Sequence, residues 1–218
     1  MSLWQDFMTH QGKTIHKWAH YFPIYERHFA PWQNRSLVFW EVGVYEGGSL
    51  QMWQRYFGPN AVIIGIDINE SCKAHEAPGI NVRIGNQADT RFLQSVIDEF
   101  GAPDVVLDDA SHHMKPTWEM FQFLYPRLPR NGVYMVEDMH TSYWAHHGGG
   151  LNVEDSFINR SKKLIDELNA EHTKGELEPT EFTRTTSSIS FYDSIVVFEK
   201  ANVVWKDHFR TGADHKRK

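Results

Sequence analysis

Short apolar runs recur along the chain, and amphipathic segments separate them. These runs are rich in β-branched and aromatic residues, which is typical of buried parallel strands. Alternation of such strands with helices predicts a doubly wound α/β sheet whose ligand crevice lies at the carboxyl ends of the strands. The predicted strands are residues 38–42, 61–67, 80–84, 104–108 and 132–136.

Two further β-rich runs, residues 182–192 and 194–200, flank a tight turn at Asp193 and Ser194. They predict an antiparallel hairpin at the end of a mostly parallel, Rossmann-like sheet. The helices predicted between and after the strands include residues 116–128 and 153–170.

The stretch before the first strand, residues 13–29, carries aromatic side chains at helical spacing, with Pro23 as a break or kink. It predicts one or two short helices. Two roles remain open, because these helices can pack on the sheet or form a flap over a ligand with the polar tips of His16, Lys17, Tyr21 and Tyr25. We predict a helical flap in residues 1–34, one α/β domain in residues 35–210 and a basic tail in residues 211–218.

A glycine-rich turn follows the first strand, with the spacing Glu-x-Gly-x-x-x-Gly-Gly. Glycines allow a sharp turn and a close approach of backbone to ligand, and we expect Ser49 to cap the next helix. The spacing differs from the Gly-x-Gly-x-x-Gly of dinucleotide binders, and the acid suits a ligand with a positive ammonium or sulfonium group. The predicted cofactor contacts in this turn are Glu41, Gly43, Tyr45, Gly47, Gly48 and Ser49.

Polar residues also end the following strands. Asp67 ends the second strand at the position where an acid can accept hydrogen bonds from ribose hydroxyls. After the third strand, Gln87 and Asp89 can reach an adenine edge or cap the next helix. Asp108, at the end of the fourth strand, is a further candidate cofactor contact.

Composition restricts the possible functions. The chain has 218 residues, with 41% hydrophobic and 14% aromatic content, which is enough for one well-cored domain. Its formal net charge is −6, which makes nucleic acid an unexpected partner. One cysteine excludes an internal disulfide, and no apolar run approaches the length of a membrane span. We therefore expect a soluble, cytoplasmic protein that does not bind membranes.

Two later motifs carry a family resemblance: Asp-Asp-x-Ser-His at residues 108–112 and Glu-Asp-x-His-Thr-Ser-Tyr-Trp at residues 137–144. With the glycine turn and the hairpin, they resemble metal-dependent class I S-adenosylmethionine (SAM) O-methyltransferases. The resemblance implies that residues 35–210 form the methyltransferase domain. The nearest are the macrolide-sugar enzymes of the mycinamicin and macrocin type, with the rhamnosyl and cephalosporin-pathway enzymes more distant. The family usually has glycine where this chain has Ala110.

The resemblance implies a Mg²⁺ site at Asp109, Glu137 and Asp138, and it implies that His112 is the catalytic base. Carboxylates are also the ligands that Mg²⁺ prefers, and histidine can accept a proton near neutral pH. His113 remains an alternative base. Tyr143 and Trp144 are expected to wall the acceptor pocket.

The expected reaction is Mg²⁺-dependent methyl transfer from SAM to a hydroxyl of a sugar or another vicinal-diol small molecule. Proteins of this family often assemble through N-terminal helices, so a homo-oligomer is one expectation and the oligomeric state is left open. The alternatives are an NAD-linked oxidoreductase and a SAM-binding scaffold without catalysis. The histidines after strands four and five leave zinc as a further alternative, although their spacing matches no recognised zinc motif.

Overall fold

The computed structural model describes residues 2–201 and 208–212. Its strands form a single seven-stranded sheet in the order β3-β2-β1-β4-β5-β7-β6, in which β1 to β5 are parallel and β7 runs antiparallel to both neighbours. The predicted fold class is confirmed. The strands are β1 Leu37–Val42, β2 Ala61–Asp67, β3 Ile80–Ile84, β4 Val105–Asp108, β5 Val133–Val136, β6 Thr186–Tyr192 and β7 Ile195–Lys200.

Helices cover both faces of the sheet, as alternation with buried parallel strands requires. The α-helices are α1 Leu3–Thr9, α2 Phe22–Phe29, α3 Gly48–Phe57, α4 Thr90–Phe100, α5 Met114–Leu124, α6 Phe157–Leu168 and α7 Glu181–Thr185. Short 3-10 turns lie at Ala19–Tyr21, Ala30–Trp32, Glu70–His75, Tyr125–Arg127, Met139–Tyr143, Ala145–His147 and Ala170–His172. In the described part of the chain, no helix combines the length and apolar character needed to span a membrane.

Several helix boundaries differ from the sequence-based predictions. Residues 182–185, predicted as part of a β-rich run, instead belong to α7, because Thr180 and Thr183 form a capping box there. Helix α1 lies inside the predicted helical flap of residues 1–34, but its bounds were not predicted; a capping box between Ser2 and Gln5 starts it. Ser49 does not cap α3 as predicted, since the N-cap is Gly47 with a φ of 74°. Local capping chemistry therefore decides these ends.

The N-terminal helices share one core with the sheet. Leu3, Phe22 and Phe29 are fully or almost fully buried in the same apolar cluster as Phe39 of β1 and Trp53 of α3. The N-terminal segment is thus fixed against β1 and α3 by apolar burial. Most of the predicted basic tail, residues 213–218, lies outside the described residues.

Candidate active site

A cavity of about 820 Å³ opens at the carboxyl ends of the parallel strands. Strand order reverses between β1 and β4, and this is where a doubly wound sheet leaves its crevice. Both predicted motifs contribute to the lining. Among the predicted site residues, the cavity is lined by Gly43, Tyr45, Asp67, Gln87, Asp109, His112 and Asp138.

Glu41 lies beneath the cavity floor and is completely buried. Its carboxylate accepts hydrogen bonds from Ser49 Oγ at 2.7 Å and from Trp53 Nε1 at 3.1 Å. Lys17 Nζ lies 3.3 Å from the same carboxylate. The groups that donate to the Glu41 carboxylate therefore belong to the protein itself. Neither Glu41 nor Ser49 lines the cavity.

The glycines of the turn are needed for close packing. A Cβ on Gly43, whose φ is +101°, would lie 2.2 Å from the carbonyl oxygen of Asp109. A Cβ on Gly48 would lie 2.2 Å from the carbonyl oxygen of Lys13, and one on Gly47 would meet the His75 side chain at 2.6 Å. Gly43 thus lets β1 and β4 approach each other beside the cavity, whereas Gly48 admits the N-terminal segment.

Asp67 faces the cavity with both carboxylate oxygens engaged by backbone donors. Oδ2 accepts from Val44 N at 2.9 Å and from Tyr45 N at 3.3 Å, and Oδ1 accepts from Asn69 N at 2.8 Å. Each carboxylate oxygen can accept more than one hydrogen bond, so Asp67 keeps capacity for a ligand hydroxyl. The acid is held rigidly at the position predicted for a ribose anchor.

Gln87 and Asp89 occupy different surroundings. Gln87 lines the cavity and is buried, and within the described residues its Nε2 has no hydrogen-bond partner. Asp89 is the N-cap of α4, accepting from Arg91 N at 2.9 Å and Phe92 N at 3.3 Å. A buried donor without a partner costs free energy, so Gln87 Nε2 is the group here that calls for an acceptor on a ligand.

Asp109, His112 and Asp138 converge at the cavity wall. One ligand atom from each lies within 4.8 Å of the others, a grouping able to hold a metal ion. His112 Nε2 lies 3.7 Å from Asp138 Oδ2. Asp108 is buried behind them, 3.4 Å from the Tyr134 hydroxyl and outside the cavity lining, and burial raises its pKa well above its ordinary value.

Glu137 faces the N-terminal segment. Lys17 Nζ donates to Asp109 Oδ2 at 2.5 Å and to Glu137 Oε2 at 3.0 Å, and the Tyr25 hydroxyl donates to Glu137 Oε1. Although burial lowers the pKa of Lys17, the carboxylates of Asp109, Glu137 and Glu41 together raise it well above its ordinary value. Lys17 is thus a buried ammonium ion among the predicted metal ligands.

Tyr21 connects the N-terminal segment to the third predicted metal ligand, since its hydroxyl donates to Asp138 Oδ1 at 2.7 Å. Lys17, Tyr21 and Tyr25 follow one another at four-residue intervals. The sequence had indicated them as the polar tips of a flap, but it had not assigned them partners. Lys17 lies in irregular backbone before the 3-10 turn at Ala19–Tyr21, so the helices predicted over residues 13–29 begin only at residue 19. Tertiary packing, and not helical periodicity, therefore directs these three side chains to the same site.

Backbone strain is concentrated at the site. Tyr45, Ser111, His112 and Asp138 all have φ between 47° and 53°, in the left-handed region that non-glycine residues rarely occupy. All of them line the cavity. Such conformations each cost about 1–3 kcal/mol and persist where surrounding contacts enforce them.

The remaining predicted residues lie outside the cavity lining. His113 is exposed at the start of α5 and packs its ring 4.7 Å from that of His147, whereas His112 faces Asp138. Tyr143 and Trp144 are exposed on the surface loop after β5, at 47% and 44% of their accessible area. Trp144 contacts His140 edge-on, with ring centroids 4.9 Å apart.

Comparison with known proteins identifies O-methyltransferases as relatives of this chain. The chain is 35% identical over 190 residues to 8-demethyl-8-alpha-L-rhamnosyl tetracenomycin-C 2′-O-methyltransferase of Streptomyces olivaceus, which covers 83% of this chain and 50% of that protein. It is 30% identical over 194 residues to mycinamicin VI 2″-O-methyltransferase of Micromonospora griseorubida, covering 83% of this chain and 48% of the relative. The chain is related to the sugar O-methyltransferases. No protein-family model matches the sequence.

The same relationship holds in three dimensions. The MycE methyltransferase of the mycinamycin biosynthetic pathway, solved in complex with Mg and S-adenosylhomocysteine (SAH), superposes with a TM-score of 0.79 at 28% identity over 91% of this chain and 53% of that one. The predicted resemblance is therefore confirmed. The chain spans about half the length of the curated relatives it matches.

Proposed function

We propose that this protein is a Mg²⁺-dependent SAM O-methyltransferase that acts on a hydroxyl of a sugar or a similar vicinal-diol natural product. The observation that carries the proposal is a single cavity in which two sets of groups meet. One set is the acid Asp67 and the Gln87 Nε2 donor, which has no partner among the described residues, and the other is Asp109, His112 and Asp138. The similar protein MycE supports the proposal, because its structure was solved in complex with Mg, SAH and mycinamycin VI.

The cofactor is proposed to lie along Gly43, Tyr45, Asp67 and Gln87. Asp67 can accept hydrogen bonds from ribose hydroxyls, and Gln87 Nε2 can donate to a ring nitrogen of adenine. Glu41 and Ser49 would support this cradle from below by fixing the start of α3. Gly47, Gly48 and Asp108, which also lie outside the cavity lining, would likewise shape the cradle through packing.

The donor set fits a hard divalent ion. Asp109 and Asp138 face the cavity with oxygens suited to Mg²⁺. Glu137 immediately precedes Asp138 in the chain. We propose that these three carboxylates hold the ion. When bound, Mg²⁺ would supply a positive charge that orients the acceptor and lowers the pKa of its hydroxyl.

His112 is proposed to take the proton. As the acceptor oxygen attacks the methyl carbon, the O–H proton passes to an imidazole nitrogen of His112, the O–C bond forms, and the S–C bond breaks with its electron pair remaining on sulfur. The products are the methyl ether and SAH. Because methyl transfer requires in-line approach, fixed orientation of the acceptor supplies much of the catalysis.

The partners are proposed to be small-molecule acceptors. Absence of nucleic-acid and membrane partners, a cytoplasmic location and assembly into a homo-oligomer stay predictions from the sequence, as do the boundaries of the three predicted regions. Zinc also stays an alternative for the metal, to be compared with Mg²⁺ in the binding experiments.

Calorimetric titration with SAH, with and without Mg²⁺ and with NAD for comparison, tests the cofactor first. We expect SAH to bind and NAD not to bind. Binding of NAD alone would replace the proposal with a nicotinamide-linked reaction, and binding of neither ligand would favour a scaffold.

A second experiment measures methyl transfer from labelled SAM to a panel of free and glycosidic sugars. We expect Asp109→Asn to abolish the Mg²⁺-stimulated rate with SAH affinity retained, and Glu119→Gln, also on the cavity wall, to keep that rate. His112→Ala should lose at least about a hundredfold in turnover, the contribution typical of a general base, while His113→Ala should not. Equal losses in the two histidine variants would contradict the assignment.

A further inference from the structure

Lys17 forms the centre of a buried carboxylate cluster. Its side chain is 3% exposed, and its ammonium lies 2.5 Å from Asp109 Oδ2, 3.0 Å from Glu137 Oε2 and 3.3 Å from Glu41 Oε1. These acids come from the ends of three adjacent parallel strands. Their negative charges would repel one another at this distance, and the ammonium offsets that repulsion.

The segment that carries Lys17 is fastened on both sides. Before it, the backbone of Lys13 passes so close to Gly48 that a Cβ there would lie 2.2 Å from the Lys13 carbonyl oxygen. After it, Tyr21 donates to Asp138 and Tyr25 donates to Glu137. Each proposed metal ligand is therefore contacted by this one segment.

The Lys17 ammonium and a divalent ion would compete for the same two carboxylates. A divalent ion held by Asp109 and Glu137 together needs an oxygen from each at about 2.1 Å. Lys17 already holds Asp109 Oδ2 and Glu137 Oε2, and no oxygen of Glu137 is without a hydrogen bond from Lys17 or Tyr25. Two cations bound to this pair would face each other at close range with like charges.

We propose that Lys17 is a positioning residue that holds Asp109 and Glu137 in the metal-free protein and that a divalent ion must displace before both acids can bind it. The inference rests on the metal site of the proposed function. Metal binding then moves the ammonium away from Glu137 and loosens the segment around it, so metal occupancy and docking of the N-terminal segment oppose each other.

Acetylation of lysines with an amine-reactive reagent tests displacement in the unmodified protein. Modification at each lysine is read by peptide mass spectrometry with and without saturating Mg²⁺, and the exposed Lys115 serves as the internal reference. We expect Mg²⁺ to raise Lys17 labelling relative to Lys115 by at least about fivefold, because a buried amine becomes accessible. Unchanged Lys17 labelling in protein shown to be metal-saturated would overturn the inference.

Metal affinity separates the proposed role of Lys17 from a purely structural one, because loss of a purely structural residue would not tighten metal binding. Mn²⁺ binding is measured by electron paramagnetic resonance for the parent protein, Lys17→Met, Lys17→Arg and the control Lys13→Met, whose ammonium contacts His75. Removal of a competing charge should tighten Mn²⁺ binding about tenfold in Lys17→Met, while Lys17→Arg and Lys13→Met stay near the parent value. Weaker, unchanged or undetectable Mn²⁺ binding in Lys17→Met would overturn the inference.

Failure of the proposed function has a different signature. SAH binding in the calorimetric titration does not depend on displacement of Lys17. If the Lys17 experiments fail while SAH still binds, the methyltransferase proposal is unaffected. Conversely, metal-driven release of Lys17 in a protein that does not bind SAH would support the inference while contradicting the function.

Discussion

Ser49 Oγ donates a 2.7 Å hydrogen bond to Glu41 Oε2, and both side chains are buried. The contact ties the first turn of α3 to the middle of the sheet. Trp53, one helical turn further on, donates to the other oxygen of the same carboxylate. The acid predicted to meet the cofactor therefore acts in this structure as an internal anchor for the glycine turn.

Removal of this anchor should cost stability. Glu41→Ala removes the acceptor of Ser49 and Trp53 and one of the three acids around the Lys17 ammonium, and loss of one member of a buried charged pair costs about 3–5 kcal/mol. Urea unfolding should show a decrease near the lower end of that range, since Lys17 keeps two other acids. The exposed Glu46→Ala should change the free energy of unfolding by less than about 0.5 kcal/mol. A similar small change in Glu41→Ala would contradict the anchoring role.

Gly43 should not tolerate a side chain. In Gly43→Ala the new Cβ would lie 2.2 Å from the Asp109 carbonyl oxygen, so the end of β4 has to shift and carry Asp109 with it. We expect both SAH and Mn²⁺ affinity to fall at least about tenfold, because a shift of about 1 Å is enough to disrupt a preorganised site. Calorimetry and paramagnetic resonance measure the two affinities.

Gly101→Ala is the matched control for backbone strain. Gly101 has a φ of +88°, close to that of Gly43, but a Cβ there has nothing within 4 Å among the described residues. The substitution should lower the free energy of unfolding by about 1–2 kcal/mol and leave both affinities unchanged. If Gly101→Ala impaired ligand binding as much as Gly43→Ala did, the contact with Asp109 would not be the cause.

The acid stability of the protein should depend on Glu199. His28 Nδ1 lies 3.0 Å from Glu199 Oε1 and Ser188 donates to Oε2, so hydrogen bonding, first from His28, lowers the pKa of Glu199 in the folded protein. A depressed pKa stabilises the fold above the ordinary glutamate pKa of about 4.3, and the stabilisation is lost as pH falls below that value.

Glu199→Gln removes this contribution. We expect its free energy of unfolding to vary less with pH below about 4.5 than that of the parent protein, with the two curves converging at low pH. Urea unfolding at a series of pH values measures the effect, and Glu154→Gln, in an exposed pair with Lys163, serves as control. Parallel curves for parent and Glu199→Gln would rule out the assignment.

Trp144 should affect the acceptor more than the cofactor. Trp144 is 44% exposed, and its ring contacts that of His140. The Nδ1 atom of His140 lies 4.0 Å from Asp138 Oδ1. Trp144→Ala removes the exposed aromatic face that the sequence predicts as a wall of the acceptor pocket, so we expect KM for the acceptor to rise about tenfold with SAH affinity retained. Phe191→Ala, 39% exposed on β6, provides the control. An unchanged acceptor KM would place acceptor binding elsewhere.

The sequence by itself determined the sheet and the line of acids along its edge. Strands such as Ala61–Asp67 and Ile80–Ile84 were predicted with the bounds that the structure has, because an apolar β-branched run is a local signal. Parallel topology then brings the ends of neighbouring strands together, so the proximity of Asp109 and Asp138 also followed from the order of the strands.

Only the tertiary structure decided which acids face the cavity and which face the protein. Lys17 reaches Asp109 and Glu137 across 92 and 120 residues of chain, and no local pattern specifies a partner at that separation. Burial of the N-terminal aromatic residues against β1 and α3 places Lys17 there. The direction in which Glu41 and Glu137 point is therefore a consequence of packing, because a buried carboxylate turns toward whichever donors the surrounding core provides.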